Sequence, residues 1–224
     1  MRWLETLPDC PGRPEHYTLV RTKEGVYWRL KRGSRKPATL NESFSRSKNL
    51  TSMVAPVAKR IRDALRPWIR SMQTSRLQIR ICMALRKSFK EQGQLKLAAL
   101  KGLELAEEKL GDLLDPPVEV RVDESRIRVG LPIDYYTFKH LNNLVTHAWI
   151  EAVVVFGDPN RDDGLHTESV SSPLYAVRSA EEHRCELQLD LPPVPDWCLV
   201  VTVSCLEGHE MAHHAKWYRG RVVG

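Results

Sequence analysis

The sequence predicts an α+β chain: an N-terminal β-ribbon and a helical hairpin or bundle, followed by an antiparallel β-sandwich. Three observations carry this. The apolar period changes from helical to alternating near the middle of the chain. Pro116 and Pro117, which cannot continue a helix, stand at the change. The charge changes sign there too: residues 1–110 hold 24 Lys and Arg against 10 Asp and Glu, and residues 111–224 hold 10 against 18. The formal net charge of +6 thus hides a basic half and an acidic half. The boundary is placed after Leu114, giving a basic ribbon-plus-helical module over 1–114 and an acidic sandwich over 115–224.

In the basic module, Tyr17–Arg21 and Val26–Leu30 are rich in β-formers and flank Glu24-Gly25, a hairpin signal. Residues 31–50 are basic, polar and Ser/Asn-rich and read as a connector. From Thr51-Ser52, expected as the N-cap, Val54, Val57, Ile61, Leu65, Trp68 and Met72 recur at helical steps, and Pro67 should kink or split the helix near Arg66. A second helix is expected through Leu77, Ile81, Ala84, Leu85 and Phe89, ending at Gln92-Gly93. A third, leucine-rich helix is expected from about Leu95 to Leu110.

The acidic half offers seven candidate strands: Val118–Val122, Arg126–Leu131, His147–Phe156, Ser169–Val177, Cys185–Leu191, Leu199–Leu206 and Ala215–Val223. Separated by Asp/Pro/Gly turns, they predict a sandwich of immunoglobulin or fibronectin type III style. In the third strand Ala148, Ile150, Ala152, Val154 and Phe156 form the expected buried face, leaving His147, Trp149 and Glu151 outside.

The composition, 42% hydrophobic and 28% charged, is that of a globular domain and excludes a disordered or collagenous chain. The five cysteines, Cys10, Cys82, Cys185, Cys198 and Cys205, are odd in number and lack CxxC spacing, which points to reduced, buried thiols. No apolar run approaches the ~20 residues that cross a bilayer. Residues 1–8 lack a basic flank leading into an apolar run, so a cytoplasmic address without a membrane partner is expected.

The order of elements resembles a family of uncharacterised bacterial proteins in which a basic helical half precedes an Ig-like half. The resemblance rests on Arg29–Pro37 with Asn41–Phe44, on Gly102–Leu105 with Leu110, Leu113 and Leu114, and on Thr146-His147-Ala148. The Val200–Leu206 stretch and the closing Gly220–Val223 complete it. It implies the two-part architecture, a non-enzymatic role and a β-hairpin tip at Gly208–His214.

That tip contains the one motif with explicit chemistry. His209-Glu210-Met211-Ala212-His213 matches H-E-x-x-H, in which two histidines on one helical face hold zinc and the glutamate activates its water. Its context opposes a helix: Trp197–Leu206 is strongly β-forming and runs into Glu207-Gly208. No Asp, Glu or His follows His214 to supply a third ligand, and His166 and His183 are the upstream candidates. The expectation is therefore a turn with no metal, no catalytic residue and no cofactor, a zinc metallopeptidase through His209, His213 and Glu210 being the enzyme alternative. Asp158, Asp162 and Asp163 share one loop, but their spacing fits no calcium loop.

The candidate binding residues are the cations outside the apolar stripes: Lys59, Arg60, Arg62, Arg66, Arg70, Arg76, Arg80 and Lys87. They could neutralise phosphates, with Tyr27, Trp28 and Trp68 as stacking aromatics. No recognised nucleic-acid motif frames them. Opposite charges in one chain instead favour a protein partner or head-to-tail self-association, or docking of one half on the other. The predicted function is a non-enzymatic interaction or structural component of a larger assembly, with nucleic-acid binding the further alternative.

Overall fold

The computed structural model describes residues 14–22, 25–30, 42–72, 74–134, 136–139, 141, 144–178, 181–207, 210–211 and 218–224. The chain divides into two compact units, Met1–Arg46 and Ser47–Gly224. The first holds the expected hairpin: β1 (Tyr17–Thr22) pairs antiparallel with β2 (Gly25–Leu30), Leu19 opposite Trp28. The second takes in helices and sandwich strands together, so Pro116 and Pro117 lie within it rather than between units.

The fold is α+β with antiparallel sheets. α1 (Glu42–Ala64) starts well before Thr51. The Thr51 and Ser52 hydroxyls are not caps; they donate back to the Ser47 and Asn49 carbonyls, both at 2.8 Å, inside a continuing helix. The polar 42–50 stretch is helical because nothing in it forbids helix and the buried stripe Val54, Val57, Ala58 and Ile61 anchors the C-terminal part of α1. Pro67 does split the helix: α2 (Arg66–Ile69) is a separate turn with proline in its first turn. α3 (Leu77–Gln92) stops where expected, at Gly93, which has φ 70° and whose N–H returns to the Phe89 carbonyl. Gln78 Nε2 donates to the Ala55 carbonyl and Arg86 Nη2 to the Ser47 hydroxyl, so α3 runs antiparallel to α1.

The expected third helix is corrected. Residues 95–114 hold only two short 3-10 turns, Leu97–Leu100 and Leu110–Asp112. Between them Gly102 turns at φ 83° and the chain lies along the last strand, β11 (Arg219–Val222). Gly102 N–H donates to the Val222 carbonyl at 2.8 Å, Val222 N–H to Leu103 at 2.9 Å and Leu105 N–H to Gly220 at 2.7 Å. A helix would have spent these groups internally and left the sheet edge unpaired. The leucines read as one helical face are instead plugs on a strap, with Leu97, Leu100, Leu105, Leu110 and Leu113 all buried.

The larger sheet has β9 (Trp197–Glu207) and β5 (Val145–Gly157) at its centre. β6 (Leu165–Ser171) and β7 (Tyr175–Ala176) flank β5, while β10 (Glu210–Met211) and β11 flank β9. The smaller sheet is β3 (Glu119–Val122), β4 (Arg126–Ile133) and β8 (His183–Asp190). The seven expected strands are thus matched, except that Ser169–Val177 is the end of one strand and the start of another; Ala215–Val223 is matched by β11, its first three residues lying outside the described ones, and β10 falls in the expected turn before it.

The side-chain alternation fixes the facing surfaces of the two sheets. Tyr175, opposite Ala148, hydrogen-bonds Cys185 of β8, so Ala148, Ile150, Ala152 and Val154 point to the smaller sheet. Its inward residues Ile127, Val129, Leu131, Leu187 and Leu189 meet them in a continuous core. Burial raises the Tyr175 hydroxyl to about 12. The other face of β5 is only partly solvated, which corrects the expectation for Trp149 and Glu151: both are half-buried. Trp68 Nε1 donates to Glu151 Oε1 at 2.8 Å, and Val153 and Val155 are as buried as Val154, under the helices. The helical layer therefore sits directly on the larger sheet.

The strap's placement is testable. Leu105→Ala is expected to cost about 2–5 kcal/mol in urea unfolding, as a buried leucine does, while Glu107→Ala, on the same segment but exposed, should stay within about 0.5 kcal/mol of the parent.

Candidate functional site

At one end of the larger sheet, three segments meet: the 157–164 loop joining β5 to β6, residues 193–196 before β9, and the chain leaving α3. The loop has a glycine neck. Gly157 has φ 114°, and a Cβ there would come 1.9 Å from the Gly164 carbonyl oxygen; one at Gly164 would come 2.2 Å from that of Asp158. Only glycine permits the two strands to approach so closely. Asp158 Oδ1 accepts from Asn160 N–H and Nδ2, both at 2.9 Å, and these bonds hold its carboxyl below the ordinary value. Arg60 of α1 pins the loop from the helical side, through Asp162 with Nε at 2.8 Å and through the Pro159 carbonyl at 3.3 Å.

Asp196 ties the other two segments. Its backbone carbonyl accepts from Gly157 N–H at 3.2 Å, and its carboxylate accepts from Leu97 N–H at 2.9 and 3.1 Å. Burial raises this carboxyl above its ordinary value, against the pull of the Leu97 and Ala98 amides. Two hollows open here, sharing Gly157, Asp158 and Val194. One, of about 540 Å³, has Met53, Phe89, Leu95 and Pro159 in its wall. The other, of about 770 Å³, is lined by Phe156, Arg161, Asp163, His166 and Glu168 among others. The first borders the helical layer; the second, where Glu168 lies opposite Val154 and so on the side of the smaller sheet, is a groove in which Asp158, Asp163 and Glu168 outnumber the one cation, Arg161.

The eight predicted cations do not act as one face. Arg60 is held by the loop, and Arg62 bonds Asp63 at 2.9 Å. Arg80 donates to the Leu105 and Ala106 carbonyls at 3.0 and 2.9 Å, fastening α3 to the strap. Lys59, Arg66, Arg70, Arg76 and Lys87 are exposed, and no ion pair involves them among the described residues. Sequence reading missed two neighbours of these cations. Ile79 and Met83, one turn apart on the outer side of α3, are 57% and 65% exposed. Their signal was present: both fall off the Leu77, Ile81 and Leu85 stripe, on the face that also carries Lys87 and Lys90. The hollows were invisible in the sequence, each being assembled from segments separated along the chain.

Of the other candidates, Trp68 is engaged with Glu151 rather than open for stacking. Tyr27 and Trp28 belong to the first unit. Asp158, Asp162 and Asp163 each turn to a different partner, the last facing Arg161 at 3.9 Å. His166 lies against Phe156 with ring centroids 5.6 Å apart, and His183 faces Glu181 at 3.4 Å. His209 and His213 lie outside the described residues, but Glu210 and Met211 between them are extended, paired with Glu207 and Leu206 of β9. Among the described residues no three His, Cys, Asp or Glu are grouped as metal ligands. Nor is any helix among them long and apolar enough to cross a membrane. Cys185, Cys198 and Cys205 are buried free thiols, and burial raises the last two to about 12.

No family model matches the chain, and no curated protein does. Among solved structures, a chain from work described as "CC2D1B coordinates ESRCT-III activity during the mitotic reformation of the nuclear envelope" is similar at 12% identity. The match covers 84% of this chain and 76% of that one, with a TM-score of 0.25, a likeness that carries no argument about function.

Asp196 can be tested by pH and substitution together. Because burial raises its folded value, the folded chain holds this proton more tightly than the unfolded chain. The associated stability is present below the ordinary carboxylate range and lost as pH rises through the folded value. Asp196→Asn keeps an acceptor and sheds the charge, so thermal unfolding at neutral pH should be unchanged or later. Asp196→Ala removes the acceptor as well and should cost about 1–3 kcal/mol.

Proposed function

We propose that the chain is a non-catalytic interaction component that grips an acidic, partly apolar protein partner through the outer face of α3. The observation that carries this is the exposed Ile79 and Met83 pair bordered by Arg76, Lys87 and Lys90. An aliphatic pair on a charged helix face is the pattern of a helix-contact anchor, where apolar burial supplies affinity and charge supplies orientation. The scaffold is an immunoglobulin-style sandwich. Its strand orders, β3-β4-β8 and β11-β9-β5-β6, support that reading, since they follow the A-B-E and G-F-C-C′ neighbours of such domains.

The metallopeptidase alternative needs Glu210 on a helix, and the extended backbone at Glu210–Met211 supports the turn instead. For nucleic acid, the exposed cations are a favourable feature, but Trp68, the aromatic expected beside them for stacking, is engaged with Glu151.

Binding of the full chain to a synthetic Leu/Glu amphipathic helical peptide and to single-stranded DNA, followed by fluorescence anisotropy at low salt, separates these. The peptide should bind, and Met83→Glu should weaken it by about tenfold or more. DNA binding that falls log-linearly with salt and ignores Met83→Glu would replace this reading with the nucleic-acid one.

A further inference from the structure

We propose that a second copy of this chain is the partner, the α3 ridge of one molecule seating in the sheet-end groove of the next. This rests on the reading of α3 above and adds the identity of the surface it meets. The two surfaces are unlike and complementary. The ridge presents Ile79 and Met83 among cations; the groove presents Phe156, Pro193 and Val194 beside the carboxylates of Asp158, Asp163 and Glu168, three acids against the one guanidinium of Arg161. A hollow of about 770 Å³ lies within the range of binding pockets, and aliphatic side chains are well within its reach.

A molecule cannot fill its own groove. α3 belongs to the helical layer on one face of the larger sheet, whereas Glu168 at the groove, opposite Val154, is on the face toward the smaller sheet, so the ridge lies across the sheet from its own molecule's groove. The loop's internal pairs leave the groove acidic: Arg60 takes Asp162, Arg161 faces Asp163 at 3.9 Å in an exposed pair, and Glu168 is exposed with no ion pair among the described residues. Because ridge and groove are different patches, the contact is heterologous: each copy bound still offers one unfilled ridge and one unfilled groove, and assembly continues to a ring or an open chain.

Sedimentation velocity of the full chain at low and high salt, with two variants, tests this. The parent should form species larger than a dimer at low salt and dissociate at high salt. Met83→Glu removes the ridge, and the double variant Asp163→Lys with Glu168→Lys removes the acidic rim. Both are surface changes, and circular dichroism should match the parent. Each variant alone should be monomeric, while an equimolar mixture should form a dimer and no larger species, since only one good ridge and one good groove remain per pair. A monomeric parent at low salt, an unmixed variant that still dimerises, or a mixture that stays monomeric would overturn the proposal. If the parent is monomeric but still binds the Leu/Glu peptide through Met83, the second-copy inference falls and the proposed function stands. If neither binding occurs, both fall.

Discussion

The second unit depends on one constraint: β5 and β9 are apolar on both faces. From Ala152 to Val155 and from Cys198 to Val203 every residue is buried. An antiparallel strand with one solvated face would alternate. Such strands must be covered twice, and full burial of each valine or leucine stabilises by about 1.5–3 kcal/mol relative to exposure. The smaller sheet covers one side; the helices and the strap cover the other. Stripping the helical layer would return Val153, Val155 and Val200 to water, so residues 47–114 and the acidic strands lie in one compact unit despite their opposite charge.

That constraint also sorts the cations. Those nearest the sheet hold segments in place. Arg80 bonds strap carbonyls, Arg60 bonds the β5–β6 loop, and Arg219, itself buried, bonds the Lys109 carbonyl at 3.0 Å and Glu108 at 2.6 Å. A charged donor on a carbonyl contributes about 1.5–3 kcal/mol, more than an exposed ion pair's 0–1. Part of the basic excess in residues 1–110 is therefore consumed internally. Among the described residues of the second unit's helical layer, the cations a partner can meet are the remainder, on the outward sides of α1, α2 and α3.

Much of this was legible in the sequence. Period and turn residues located the hairpin, the split at Pro67, the stop at Gly93 and nearly every strand, because these are local signals. The errors lie where tertiary pairing overrides local pattern. Leu95 to Leu110 has helical spacing, yet the amides at Gly102 and Leu105 serve the edge of β11, over a hundred residues away. Trp149 and Glu151 are polar enough to read as an outer face, and nothing local reveals that Trp68 will cover Glu151. The cations were found as a set but not sorted, since sorting requires knowing which carbonyls lie within reach. The groove left no trace because no single stretch of chain contains it.

With both faces of the larger sheet occupied, its flat surfaces are closed to a partner, and binding must use loop ends, sheet edges or outer helix faces. Among the edges, β6 is a poor template for strand addition. His166, Thr167, Glu168 and Ser169 are exposed along it, and a charge on a short polar edge opposes pairing with another strand. β11 is closed by the strap and the outer side of β9 by β10 and β11. The loop end and the outer face of α3 are among the surfaces left open, and they carry opposite charge. A contact joining them is made by side chains rather than by backbone pairing, so its strength is set by apolar fit at Met83 and its register by the carboxylates at the groove rim.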